Sequence, residues 1–521
     1  MSDLVSSGIF VVEGLSGGQP IAARRETVAA FIGKASRGPV NIPVAVRSGD
    51  EYFRRFGCPN KTSALQNALK QFFENGGTKA IVIRVSRTDR HNQISLPGPA
   101  GALTLEAVNP GPLEYLRASI DLDNIPDSDN GHFNLVIHRV ASPDKPFVEE
   151  QEIFHALSMD PEHPDFIVDA LLNSNLMHVH GTPPSERPER TLGPSAERQP
   201  AYIYADSDWH SADIPTDYDL IGSDTDGTGL YALEQIPVVD LLCIAPGSRD
   251  YELGPLVLFA AERYCRRRNA LLLIDPPAHW TSVTKAVASQ REHGFSSPNV
   301  LTYFPHPATL TGEDTDSESI LGAVAGQLAS GDAKRGTWRS LEHDPVLRCR
   351  THLSCKLTDA ESAILARSGI NSLRQVGSGR LLLSGLVTLA KCGGLATEWN
   401  DLGKRRLALF IIDSIIRGTR WAAFNDNNEN TWADVRRQVR EFLQVLFEEG
   451  ALAGSDPRRA FYVICDADTN ADSLNISDTL SFIAGFALHR PGEFLAFRFL
   501  HDQFECKIRA ISWQPGLALA S

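Results

Sequence analysis

Continuous apolar runs and helical stripes alternate along this chain. Thr27 to Gly33 (TVAAFIG) and Ala80 to Val85 (AIVIRV) have the pattern of strands covered on both faces. Between them Val44 to Arg47 reads as a further strand, and Asp50 to Phe56 and Leu65 to Asn75 carry the apolar spacing of helices. Gly76-Gly77 ends the second helix in the manner of a C-cap. Strand, helix and strand joined by such short links predict a parallel sheet covered by helices. The pattern returns later, with Val238 to Ala245 (VVDLLCIA) and Ala270 to Ile274 (ALLLI) as buried strands and Leu256 to Asn269 as the helix between them. Asp275-Pro276-Pro277 stops the second of these strands at its carboxyl end.

The stretch between the two α/β segments, from about Asp89 to Tyr218, has a different texture. Short strand-like runs such as Leu116 to Ile120 and Phe133 to His138 (FNLVIH) are separated by Pro, Asn, Asp and Gly, with one helix expected over Phe166 to Leu172. Gly181 to Pro200, rich in Pro, Glu and Arg, reads as an exposed loop or linker. The region is therefore expected to be an inserted, mostly β domain on the surface. Gly322 to Gly336, with its glycines and serine, is expected to be a connection into the last domain.

The C-terminal region holds the clearest helices. Leu402 to Arg417 should be largely buried, and Trp432 to Glu449 is amphipathic, with Trp432, Val435, Val439, Phe442, Leu443 and Leu446 on one face. Thr431 with Asp434 is the expected N-cap and Gly450 the stop. Two strand-like runs follow, Phe461 to Cys465 and Phe494 to Phe499, and then a β-rich tail, Cys506 to Trp513. At the other end Ile9-Phe10-Val11-Val12-Glu13 has strong β character but is bracketed by Gly8, Gly14, Gly17 and Gly18. A lone strand with flexible flanks has no hairpin partner nearby, so it must pair at long range or with another molecule.

Length and charge narrow the classes. A chain of 521 residues exceeds what one hydrophobic core serves, so three or four domains are expected. Hydrophobic content of 42% and charged content of 22% fit a folded, soluble protein. No stretch approaches the roughly 20 apolar residues of a membrane span, and Met1 to Ser7 lack the basic and apolar regions of a secretory signal, so synthesis in the cytosol is the expectation. The formal charge of −14 argues against nucleic acid as the main partner. Eight cysteines occur with no CxxC pair, and several sit inside apolar runs, which suits reduced, buried thiols.

Candidate chemistry is sparse. Gly33-Lys34-Ala35-Ser36 lacks the upstream glycine of a phosphate-binding loop, and no HExxH or strand-borne GxGxxG is present. Asp224-Thr225-Asp226-Gly227 has part of a calcium-loop pattern without the closing glutamate, and reads as a polar turn. Cys349, His352 and Cys355 have no suitably spaced fourth ligand, and His178 with His180 falls short of a metal site. Arg436, Arg437 and Arg440 lie on the polar side of the Trp432–Glu449 helix. They read either as a solvated face, with Arg437 paired to Glu441, or as a basic stripe for an acidic partner.

The ordered set of segments resembles the tail sheath proteins of contractile phages and related injection systems. Val28-Ala29-Ala30-Phe31-Ile32-Gly33 with Arg37-Gly38-Pro39, Phe72 to Gly77 leading into Val82 to Val85, Asn109-Pro110-Gly111 and Gly227-Thr228-Gly229-Leu230 are similar to recurrent family steps. Toward the C-terminus come Lys334 to Trp338, Leu357 to Glu361, Gly369-Ile370-Asn371, Arg405-Arg406, Arg420 to Phe424 and Asn427-Asn428-Glu429, in family order. Gly385-Leu386-Val387 and Gly181 to Pro200 depart from the pattern.

The resemblance implies an α/β multidomain fold. It would have a Rossmann-like parallel or mixed core sheet flanked by helices, an inserted mainly-β outer domain, and extended N- and C-terminal β arms. The expected organisation is an exchange arm over 1–20, core over 21–88 and 219–330, insertion over 89–218, a lumen-facing domain over 331–504 and a C-terminal arm over 505–521. It implies a structural subunit, not an enzyme, that polymerises as a helical stack of hexameric rings around an inner tube protein, with baseplate and tail-terminator partners. No cofactor, metal, nucleic acid or membrane insertion is implied. Strand exchange would use Ile9, Phe10, Val11, Val12 and Glu13 with Lys507, Ile508, Arg509, Ala510 and Ile511, and tube contact would use Arg436, Arg437 and Arg440. The particle would be assembled from protein made in the bacterial cytoplasm, as part of a phage tail or an injection device. An α/β enzyme with an insertion, or another tail or baseplate component, is the competing reading.

Overall fold

The computed structural model describes residues 20–21, 26–57, 63–87, 89–126, 128–129, 131–144, 146–191, 201–206, 214–247, 251–292, 296–308, 319–339, 346–348, 352–376, 380–390, 399–471 and 479–511. The chain forms two compact units, one made of 27–334 and 341–400, the other of 1–26, 335–340 and 401–521.

The larger unit begins with the fully buried strand β1 (Ala29–Gly33) and the short β2 (Val44–Val46). Helix α1 (Gly49–Phe56) starts where the Ser48 hydroxyl accepts from Glu51 N, and α2 (Ala64–Glu74) where Ser63 accepts from Gln66 N, so each satisfies an orphan first-turn donor. Gly76, at φ +93, turns the chain into β3 (Ala80–Arg84). The chain then leaves the core for β4 (Gln93–Leu96), β5 (Leu103–Ala107), β6 (Leu116–Asp121), β7 (His132–Val140), β8 (Val148–Ser158), α3 (Ile167–Leu171), β9 (Met177–Val179) and β10 (Ile203–Tyr204). These strands form two antiparallel sheets, ordered β10-β6-β7-β8 and β4-β5-β9, over a shared apolar core that includes Leu105, Ile120, Phe133 and Leu135. The 11-residue β8 was not expected from the sequence, because its charged residues mask the strand pattern on an edge exposed to solvent.

The chain returns through α4 (Asp217–Ile221), β11 (Leu241–Ile244), α5 (Pro255–Arg267), β12 (Leu271–Ile274), α6 (Val283–Glu292) and β13 (Val300–Phe304). There follow β14 (Pro307–Ala308), α7 (Leu321–Arg335), β15 (Val346–Leu347), β16 (His352–Leu353), α8 (Asp359–Arg367), β17 (Asn371–Val376) and β18 (Arg380–Ser384). The result is a nine-stranded mixed sheet, ordered β15-β18-β17-β13-β12-β11-β1-β3-β2. Its centre is parallel, with Phe31 opposite both Val82 and Cys243. Two sequence expectations change here. Residues after 331 were assigned to the last domain, yet β15, β17 and β18 extend the large sheet. Asn371 joins them to it: its amide donates to Thr302 O (3.1 Å) and Val387 O (2.7 Å), while its carbonyl accepts from Val387 N (2.9 Å).

Gly322 to Gly336, expected as a connection, is instead mostly the buried helix α7. The glycines serve packing: a Cβ at Gly322 would overlap the Ala68 carbonyl, and one at Gly326 would overlap that of Phe72. The backbone of α7 therefore lies directly on α2, and burial overrides the weak helix propensity of glycine.

The smaller unit contains α9 (Leu402–Gly418), capped by Asp401, and α10 (Glu429–Glu448). The N-cap of α10 is Asn428, whose side chain accepts from Asn430 N and Thr431 N, so the helix begins one turn earlier than Thr431 would have set it. After α11 (Pro457–Ala460) come β19 (Phe461–Ile464), α12 (Ala467–Asn470), β20 (Leu480–Ala487), β21 (Phe494–His501) and β22 (Cys506–Ile511), the four strands forming an antiparallel sheet in the order β19-β20-β21-β22. The fully buried β20 was missed in the sequence. Its Gly485 pairs with Tyr462, whose ring occupies the space a side chain at 485 would take. Phe482 stacks on Phe499 at 4.9 Å and on His501 at 5.9 Å.

Two stability measurements follow. Gly322→Val forces a branched side chain against the α2 backbone and should cost about 1–3 kcal/mol or more in chemical denaturation, whereas Gly49→Ala, with nothing within 4 Å, should be near neutral. His501 is 2% exposed, and burial holds its imidazole down at about 4, with Asp502 acting weakly upward and Arg420 downward. The unfolded chain takes up that proton near pH 6.5, so the stability of neutral His501 is lost as pH falls from about 6.5 toward 4. The stability difference between the native chain and His501→Gln should therefore shrink by about 2–3 kcal/mol between pH 7 and 4.5; a pH-independent difference would rule this out.

Candidate assembly surfaces

Arg84 on β3 is 2% exposed, and its guanidinium reaches Ala35 O (3.2 Å) and Gly38 O. Burial lowers its pKa to about 10, opposed by the nearby Glu114 carboxylate. A Cβ at Gly111 would lie 2.9 Å from Arg84 Nη2 and from Ser36 O, so the turn there must be glycine. Three segments that carried the family resemblance, Arg37-Gly38-Pro39, Val82 to Val85 and Asn109-Pro110-Gly111, thus meet around one buried cation.

Glu114 extends this network, accepting from Arg139 Nε (3.0 Å) and from Gly38 N (3.4 Å), while Arg139 also pairs with Glu150. Arg37 donates to Arg54 O (3.0 Å) and pairs with Glu149 at 2.5 Å. The inserted sheet is therefore fastened to the core by charges that are mostly out of water. The sequence reading did not single out these residues; the only signal was their position in or beside the recurrent turns.

Of the proposed exchange strands, Ile9 to Glu13 lie outside the described residues. Lys507 to Ile511 belong to β22, which pairs with β21 from His501↔Cys506 to Ala496↔Ile511. No strand pairs with the other edge of β22 among the described residues. The connecting turn is held by the Asp502 side chain, which accepts from Phe504 N (2.8 Å) and Glu505 N (2.7 Å); these bonds lower the Asp502 pKa. Phe504, at the tip, is 91% exposed.

The three arginines of α10 are not equivalent. Arg436 is directed back onto its own unit, bonding Glu429 Oε1 (2.7 Å) and Cys465 O. Arg437 bridges Asp434 (2.9 Å) and Glu441 (3.7 Å) on the helix surface. Arg440 is exposed and forms no ion pair among the described residues. Its outward stripe includes Arg437, Gln444 and Val445, the last 46% exposed.

The weaker chemical candidates are dispersed. Cys349 lies outside the described residues; His352 contacts Gln375 from β16, and His180 pairs with Glu106 at 3.0 Å. Asp224 to Gly227 form a turn closed by Thr228 N to Ser223 O. A crevice of about 300 Å³ does lie at the carboxyl ends of β11 and β12, lined in part by Asn67, Tyr251, Glu252, Asp275 and His306. Its polar groups are engaged by the protein: Tyr251 donates to Asp217, Glu252 accepts from Ala278 N, and His306 donates to Pro277 O. Asp275, raised to about 6 by burial, is bonded by Ser319 and Ile320 N.

Comparison with known proteins places this geometry. Residues 396–500 match the model of the phage tail sheath C-terminal domain. No curated protein matches the chain. The crystal structure of a sheath tail protein from Listeria innocua is 12% identical, with a TM-score of 0.63 over 93% of this chain and 97% of that one. The sheath tail protein of Desulfitobacterium hafniense is 11% identical, with a TM-score of 0.55 over 95% of this chain and 100% of that one. The contracted PVC sheath complex of an extracellular contractile injection system is 15% identical, with a TM-score of 0.54 over 95% and 97%. Residues 396–500 thus resemble the phage tail sheath C-terminal domain, and the chain as a whole has the fold of the sheath proteins it matches.

Proposed function

We propose that this chain is the structural subunit of a contractile tail sheath, which polymerises helically around an inner tube and contracts to drive that tube through a target envelope. The observation that carries the reading is the family match over 396–500 set within a sheath-protein fold that spans 93–95% of the chain. The partners are further copies of the chain in stacked hexameric rings, an inner tube protein, a baseplate and a tail terminator. The subunit is made in the bacterial cytoplasm and ends in a phage tail or injection particle.

The physics of the link is strand addition. The outer edge of β22 presents a row of backbone donors and acceptors, and an edge of that kind recruits another strand. Ile9 to Glu13 of a neighbour supply it, with flanking glycines as hinges. Because the donating and accepting surfaces differ, each contact leaves one of each unused, and the polymer grows as an open helix. Contraction needs no nucleotide, since rearrangement of subunit interfaces releases energy stored at assembly. Arg437 and Arg440 on the outward stripe of α10 touch the tube, while Arg436 holds the helix to its own unit. The enzyme reading is disfavoured by the crevice at the strand ends, whose polar groups are spent on the protein itself.

Negative-stain electron microscopy of the purified chain, with and without residues 1–20, tests the reading. Long hollow tubes are expected from the full chain and not from the truncated one; discrete particles in both would overturn it. Arg437→Glu with Arg440→Glu should cost about 1–2 kcal/mol, through the lost Arg437 pairs and new repulsion from Asp434 and Glu441, and should allow sheath self-assembly while abolishing co-assembly with inner-tube subunits. Arg436→Ala should instead cost about 1–3 kcal/mol in denaturation through its lost charge-assisted bonds.

A further inference from the structure

The start of the described chain lies on the smaller unit. The Ile21 side chain rests on Gly418, the last residue of α9, where an added Cβ would lie 2.5 Å from Ile21 Cγ1, 3.0 Å from Cδ1 and 3.2 Å from Cβ. No side chain fits at position 418 while Ile21 keeps its place, and the requirement here is space, not a left-handed backbone.

The Gly418 position is rigidly held. Its carbonyl accepts from Gln438 Nε2 of α10 (3.1 Å), and Gln438 Oε1 accepts from Trp421 Nε1 (2.9 Å). The next residue, Thr419, is fully buried and donates its hydroxyl hydrogen to Ile415 O (2.7 Å). Its oxygen also lies 2.8 Å from His501 Nε2, within hydrogen-bonding distance. His501 closes β21, pairs with Cys506 at the head of β22, and lies 3.6 Å from the Cys506 sulfur. An unbroken path of packed and hydrogen-bonded groups thus runs from Ile21 to the edge strand, although the two are far apart in sequence.

We infer that Gly418 is a seat that anchors the root of the N-terminal arm, so that the arm and the edge strand β22 are carried by one rigid body. The inference rests on the sheath reading for its consequence in the polymer. A subunit that donates the arm on one side and offers β22 on the other transmits displacement between its two links through Ile21, Gly418, Thr419 and His501. Length and glycine content give the arm reach beyond the seat, while the seat fixes where it departs. Gly418 is in this sense a positioning residue, acting through Ile21 and not by touching a neighbour.

The test uses the full chain with Gly418→Ala, Ile21→Ala and both together. In unpolymerised subunits, hydrogen exchange followed by mass spectrometry should rise about tenfold in the segment containing Ile21 for Gly418→Ala, the scale expected from overpacking one close contact. Exchange in β21 and α10 should stay at the native level, showing that the unit remains folded. The double variant should fall back toward native exchange, because the shortened residue 21 makes room for the new methyl. Tube yield by electron microscopy should follow the same order, low for Gly418→Ala and recovered in the double variant. Native exchange and native tubes in Gly418→Ala, or no recovery in the double variant, would overturn the inference. If the native chain forms no tubes at all, the sheath reading fails, and the seat is then judged on exchange alone.

Discussion

Removing a guanidinium from water is costly unless every direction around it is answered, and Arg84 imposes that condition on the larger unit. Its charge sits at the carboxyl end of β3, one strand in from the edge of the large sheet, against the carbonyls of Ala35 and Gly38, with Glu114 as the nearby counter-charge. Glu114 in turn requires Arg139, and Arg139 requires Glu150. The inserted sheet is bound to the core through this sequence of obligations. Breaking one member would leave a buried charge uncompensated, which is worse than never having built the pair. The insertion therefore cannot part from the core without leaving a buried charge unpaired.

The smaller unit solves a different problem. Its sheet ends in β22, whose outer edge is left open among the described residues, and its core is built from stacked aromatics and the neutral His501. An open edge is a hazard in a monomer and a link in a polymer. Behind that edge, α9 and α10 are tied through Gln438, and the end of α9 to β21 through Thr419. The same logic sorts the arginines of α10. One is spent internally and two remain on the surface, so a basic stripe read as a unit from the sequence divides into structural and outward-facing members.

Much of the architecture was legible before any coordinates. The core strands at Ala29–Gly33, Ala80–Arg84, Leu241–Ile244 and Leu271–Ile274 were located because a strand buried on both faces is apolar at every position. The helices at Leu402–Gly418 and Glu429–Glu448 showed themselves by a 3.6-residue stripe. The Asn428 cap escaped because Thr431 with Asp434 offered an equally good local pattern, and local chemistry could not choose between them. Strand β20 escaped because Ser481 and Gly485 interrupt its apolar run, and only the ring of Tyr462 across the sheet explains the glycine.

By itself, then, the sequence determined the α/β class, the interruption of the core by a β-rich insertion and the positions of the strongly periodic elements, since these depend on repeats within a few residues. The tertiary structure alone decided that Gly322 to Arg335 is a helix, because its glycines have meaning only against the α2 backbone. It also decided that residues near 371–384 complete the large sheet, and that Ile21 meets Gly418. In each case the deciding quantity is what stands opposite a small or polar side chain, and periodicity along a chain carries no record of what lies across from it.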